Sequence, residues 1–122
     1  MRIYDIPRTP LVFTGTDISK TFTIIGSPST YFVFKGMNER TLIEIPNWSN
    51  DVTLEFKVQD PNGNATYYMD GLSRNQNIPP VIITDPFPVF EGCVVIITLS
   101  GVPGGNGGTV YNTIYYISDR KR

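Results

Sequence analysis

Apolar and polar residues alternate along Val52-Thr-Leu-Glu-Phe-Lys-Val-Gln59, with Val52, Leu54, Phe56 and Val58 on one side and Thr53, Glu55, Lys57 and Gln59 on the other. Period two over eight residues predicts a half-buried strand of an antiparallel sheet, one face in the core and one in water. Asp60-Pro-Asn-Gly-Asn64 follows; its Asn-Gly pair accepts positive φ, so a tight turn is expected, with residues 65–69 returning as the hairpin partner. The densest apolar run, Cys93-Val-Val-Ile-Ile-Thr-Leu-Ser100, is rich in β-branched residues, as is Thr109-Val-Tyr-Asn-Thr-Ile-Tyr-Tyr-Ile117. Between them, Gly101-Val-Pro-Gly-Gly-Asn-Gly-Gly108 cannot be helix, because glycine carries a backbone entropy cost and proline lacks the N–H donor. Two β-prone runs around such a segment predict a long-looped antiparallel hairpin.

The rest of the chain reads the same way. Strands are expected over residues 20–25, over 30–35 with a stop at Gly36-Met-Asn38, over 41–45 ahead of Pro46, and over 81–84. Asp85-Pro-Phe-Pro-Val-Phe-Glu-Gly92 is too proline-rich for a central strand and is expected as a loop, packed on its own domain or docked on another chain. The first nineteen residues hold Pro7 and Pro10 and little periodicity, so they read as an extended arm with short β pieces at Ile3-Tyr4 and Leu11-Val-Phe13. The expected fold class is all-β: an antiparallel β-sandwich or jelly-roll-like barrel of seven to eight strands with an extended N-terminal arm. The expected division is an arm over residues 1–19 and one sandwich domain over residues 20–122.

Composition agrees with this class. With 11 Gly, 10 Pro, seven Tyr, seven Phe and Trp48 in 122 residues, the chain is turn-rich yet apolar enough for one core. A net charge of −1 leaves no footprint for nucleic acid or an anionic membrane, and neither partner is expected. The basic cluster Arg120-Lys121-Arg122 reads as a solvated end, or else as a pairing arm for an acidic neighbour. Neither a secretory signal region nor a membrane-length apolar stretch is evident, so synthesis in a cytoplasm is expected; the sequons at Asn47 and Asn64 are then chance matches.

Little here suggests chemistry. Cys93 is the single cysteine and there is no histidine, so a buried structural thiol is expected, with no disulfide and no zinc site. Glu44, Asp51, Glu55 and Asp60 are the carboxylates available for acid–base work, but the aspartates mostly open turns and Glu55 lies on a solvent face. Asp60, Asn62 and Asn64 have the spacing that opens a calcium loop but lack its later glutamate, and an ordinary turn explains all three. No enzymatic activity and no cofactor are expected. Aromatics are more informative: Tyr111, Thr113, Tyr115 and Ile117 share one strand face, able to stack sugar rings or to cover a protein partner. Trp48, in a loop, either caps the sandwich or anchors an interface. The glycine-rich segment 101–108 is followed by a strand and not a helix, which argues against phosphate binding.

The arrangement Val94-Val-Ile-Ile-Thr-Leu-Ser-Gly-Val-Pro-Gly-Gly-Asn-Gly-Gly-Thr-Val110 with a closing Tyr/Ile strand resembles small β-rich virion proteins of tailed bacteriophages. The likeness extends to residues 52–68, with their D-x-x-G-N turn, and covers about the second half of the chain. The resemblance implies a capsid decoration or cement protein, located in the virion, that binds the major capsid protein, copies of itself, or both, as a homo-oligomer in the particle. The contacts expected for that role are Ile3, Tyr4, Ile6, Pro7, Pro10 and Phe13 of the arm, Trp48, Phe87 and Phe90 of the proline-rich loop, and Arg120, Lys121 and Arg122. Removing residues 1–13 is then expected to abolish capsid binding and leave the domain folded. A tail, neck or baseplate component and a carbohydrate-binding or adhesin module are the alternatives.

Overall fold

A computed structural model describes residues 2–24, 34–73 and 80–118. Among these the chain has nine strands and no helix: β1 (Arg2–Phe13), β2 (Ser19–Thr23), β3 (Phe34–Glu44), β4 (Leu54–Gln59), β5 (Ala65–Leu72), β6 (Val81–Ile83), β7 (Pro88–Phe90), β8 (Val94–Leu99) and β9 (Gly108–Ser118). They form two antiparallel sheets stacked as a β-sandwich, not a closed barrel. One sheet runs β1-β9-β3, with β6 and β7 sharing the far edge of β3; the other runs β2-β8-β4-β5.

The alternation along β4 places Leu54, Phe56 and Val58 in the core, facing Ile43, Val89, Val110 and Ile114 of the opposite sheet. The turn into β5 is built on Asp60, whose Oδ1 accepts the N–H groups of Asn62 and Asn64, both at 2.9 Å, while Gly63 takes φ +88°.

The structure corrects four expectations. First, β8 and β9 do not form a hairpin: β8 lies in one sheet, and β9 is an interior strand of the other, paired with β1 and β3. Residues 101–107 cross between the layers, held by Gly104 N–H donating to Gly15 O (2.9 Å) and Asn50 N–H donating to Pro103 O (2.9 Å). Second, Gly36 does not end a strand but lies within β3, where a Cβ would overlap the Ile117 carbonyl and the ladder shifts register. Glycine here permits close backbone approach at a bulge.

Third, the segment read as an arm is strand β1, paired with β9 from Arg2 to Phe13 around an irregularity between Ile6 and Thr9. Pro7 and Pro10 are tolerated because β1 is an edge strand, where outward N–H groups have no ladder to join. Fourth, the proline-rich loop contains β7, fastened to β3. Asn38 N–H donates to Phe87 O (2.8 Å), and the buried Asn38 side chain donates to Ile83 O (3.2 Å) and Asp85 O (2.9 Å) while accepting from Thr41 Oγ1 (2.7 Å). The strand expected over residues 30–35 falls largely outside the described residues.

Candidate interaction surface

Along β9, Val110, Asn112, Ile114 and Tyr116 turn into the sandwich, so Tyr111, Tyr115 and Ile117 lie on the outer face of the sheet. Register with the flanking strands builds rows across that face. Ile117 stands between Ile3 of β1 and Met37 of β3; Tyr115 stands between Asp5 and Arg40; Tyr111 stands between Pro10 and Glu44. Leu42 joins Thr113 to Ile82 of β6, and Val12 pairs with Thr109 near the other end.

Four of the eight exposed large apolar side chains among the described residues stand here. Ile3, Val12, Met37 and Ile82 are 59%, 60%, 39% and 56% exposed, values unlike those of residues serving a core. The outer face of the other sheet carries Ser19, Thr21, Glu55, Lys57, Gln59 and Thr98 around a half-buried Val94 and Ile96, with Tyr68, 49% exposed, beside Lys57.

Two arginines shape the apolar face. Arg8 reaches across β9 to Glu44, donating from Nε (2.8 Å) and Nη2 (3.0 Å), and its guanidinium lies 3.5 Å from the centroid of Tyr111. A planar guanidinium supplies both the carboxylate fork and the ring contact. The hydrogen bond from Arg8 holds the Glu44 carboxyl below its ordinary range. Arg40 sits 4.5 Å from the centroid of Tyr115 and 3.7 Å from Glu39, leaving Asp5 and Arg40 on opposite sides of the Tyr115 strand.

The expected contact residues divide. Ile3, Pro7 and Pro10 are exposed on β1. Tyr4 stacks on Tyr116 (centroids 5.6 Å apart) and Ile6 packs against the core. Phe13 and Phe87 are 1% exposed and leave the contact set: Phe13 meets Trp48 edge-on at 5.6 Å, and Phe87 stacks on Tyr67 at 4.8 Å. Trp48 caps the end of the sandwich, lying close above Gly108 as well as against Phe13, and its buried Nε1 finds no partner among the described residues. Phe90 is half-buried, edge-on to the exposed Phe34. Arg120, Lys121 and Arg122 lie outside the described residues.

The reactive groups are committed to structure. Cys93 is fully buried, and burial pushes its thiol pKa up. Tyr67 donates to Asp85 Oδ2 at 2.6 Å, and Tyr68, beside Asp70 and Glu55, is pushed up to about 12. Among the described residues no three His, Cys, Asp or Glu side chains gather as metal ligands. Comparison with protein-family models, curated proteins and solved structures found no match to this chain.

Sequence reasoning found the outward set on β9 but missed Arg8, Met37, Arg40 and Ile82. These join the face through pairings between residues some 30 to 110 positions apart, and no local pattern reports such register.

Proposed function

We propose that this chain is a non-enzymatic virion structural protein of the decoration or cement type, binding the outer surface of a major capsid shell and stabilising it. The observation that carries the reading is the outer face of the β1-β9-β3 sheet. Ile3, Met37 and Ile82 stand exposed there, whereas Cys93, Asp60 and Asp85 serve the fold. Exposed apolar surface on a small sandwich marks a contact with another macromolecule. The resemblance to tailed-phage virion proteins names the class of that partner.

The contact set accordingly moves from an arm to a sheet face, and from Phe13 and Phe87 to Ile3, Met37, Ile82 and Ile117. A glycan-binding module needs free aromatic faces, and Tyr111 already carries a guanidinium against its ring. A tail, neck or baseplate component would use the same kind of surface and differ in its position in the particle.

Co-sedimentation of the purified chain with heads lacking it, alongside a glycan array, tests the reading. Saturable binding to heads without a glycan signal is expected. Glycan binding without head binding would overturn it.

A further inference from the structure

We propose that the outer face of the β1-β9-β3 sheet is a two-fold interface with a second copy of this chain, the axis running parallel to β9. Such a rotation keeps every position along the strands and exchanges the β1 side with the β3 side. Each cross-strand row therefore meets its own reverse. Ile3 faces Met37 of the second copy, and Ile117 faces its counterpart, so the apolar row is covered by an apolar row.

The charges obey the same operation. Asp5 and Arg40 flank Tyr115 on opposite sides, so the rotation sets Asp5 of each copy against Arg40 of the other, twice per dimer. Arg40 is held on this face by Tyr115. In the Tyr111 row Arg8 is already paired with Glu44 of its own chain, so each copy brings a neutralised ion pair to the axis there. An in-plane axis perpendicular to β9 would instead bring Asp5 toward Arg8 and lay the Ile3 row on the Val12–Thr109 end.

Size is consistent with a reversible dimer. Three strands of each copy overlap across this axis, with β6 lying outside it. At about 4.8 Å between strands and about 6.8 Å between rows the face is roughly 400 Å², or about 800 Å² over two copies, the size of a weak, transient contact. The outer face of the other sheet has one exposed large apolar side chain, Tyr68, set among Glu55, Lys57 and Asp70. The dimer covers the face that the proposed function assigns to a shell, so it is the form of the free protein and must open before that face meets a capsid.

Sedimentation equilibrium of the full chain, from micromolar to millimolar concentration, tests it. The wild type is expected to dimerise. Asp5→Arg and Arg40→Asp should each weaken the dimer at least about tenfold, and the double variant should return to within about threefold of wild type. Asp5 and Arg40 of one chain stand about 10 Å apart across β9, near the screening length, so rescue reports a contact between copies. Circular dichroism confirms that each variant is folded. A wild type that stays monomeric throughout would overturn the proposal. So would a dimer indifferent to both reversals, or a double variant at least as weak as either single, which is the outcome of the perpendicular axis.

Discussion

The Tyr67 hydroxyl donates a 2.6 Å hydrogen bond to the Asp85 carboxylate, tying β5 of one sheet to the connection between β6 and β7 of the other. The ring beneath that hydroxyl stacks on Phe87, so one side chain joins the layers through both polar and apolar contact. Tyr67→Phe keeps the stack and loses the bond, with an expected cost of about 1 kcal/mol, at the low end for a charged acceptor because Asp85 is exposed.

The same pair sets a pH response. Burial, and then the Asp85 bond, raise the Tyr67 pKa above its ordinary 10. Tyr67 is neutral in both states below that value, so its contribution is constant there. As pH rises past 10 the unfolded chain ionises first and stability falls. Burial of Cys93 adds a loss in the same direction, beginning near the ordinary thiol value. Urea midpoints at neutral pH and about pH 11 should show this alkaline loss, and Tyr67→Phe should reduce it.

Asn38 is the clamp of the other sheet's far edge. Asn38→Ala leaves the Ile83 and Asp85 carbonyls and the Thr41 hydroxyl without their partner and should cost about 3 kcal/mol. Urea unfolding measures it; a loss below about 1 kcal/mol would mean that other groups hold β6 and β7 against β3.

Two glycines separate strain from crowding. Gly63→Ala meets nothing within 4 Å and bears only the positive φ of its turn, so a loss of about 1 kcal/mol is expected. Gly107 also has positive φ, but a Cβ there would overlap the Phe13 carbonyl. Gly107→Ala should exceed about 3 kcal/mol or prevent folding, in the same melts.

Deletion of residues 2–13 removes a strand paired along β9, together with the buried Leu11 and Phe13. The truncated chain should therefore fail to fold, giving a collapsed amide spectrum in two-dimensional NMR. A dispersed spectrum would restore the reading of this segment as a dispensable arm.

The β4–β5 hairpin was legible because period two, the Asn-Gly turn and the returning strand are all local. For β8 and β9 the chain declares strands but not partners. Pairing follows from which faces meet across the sandwich, and a glycine segment can turn back or cross over equally well. Pro7 and Pro10 suggested an arm because proline breaks a ladder, yet one side of an edge strand has no ladder to break. Phe87 was legible as apolar in a loop, and of its two possible destinations it takes its own core. The candidate face was half visible: alternation on β9 marks Tyr111, Tyr115 and Ile117, while Arg8, Met37, Arg40 and Ile82 reach them only through the register of distant strands.

The cement reading claims reinforcement of a shell as well as binding to it. The direct measurement is the temperature at which heads release their DNA, with and without saturating protein. The account predicts an upward shift that tracks occupancy and reaches a plateau with it. Saturated heads that open at the same temperature as bare ones would contradict it.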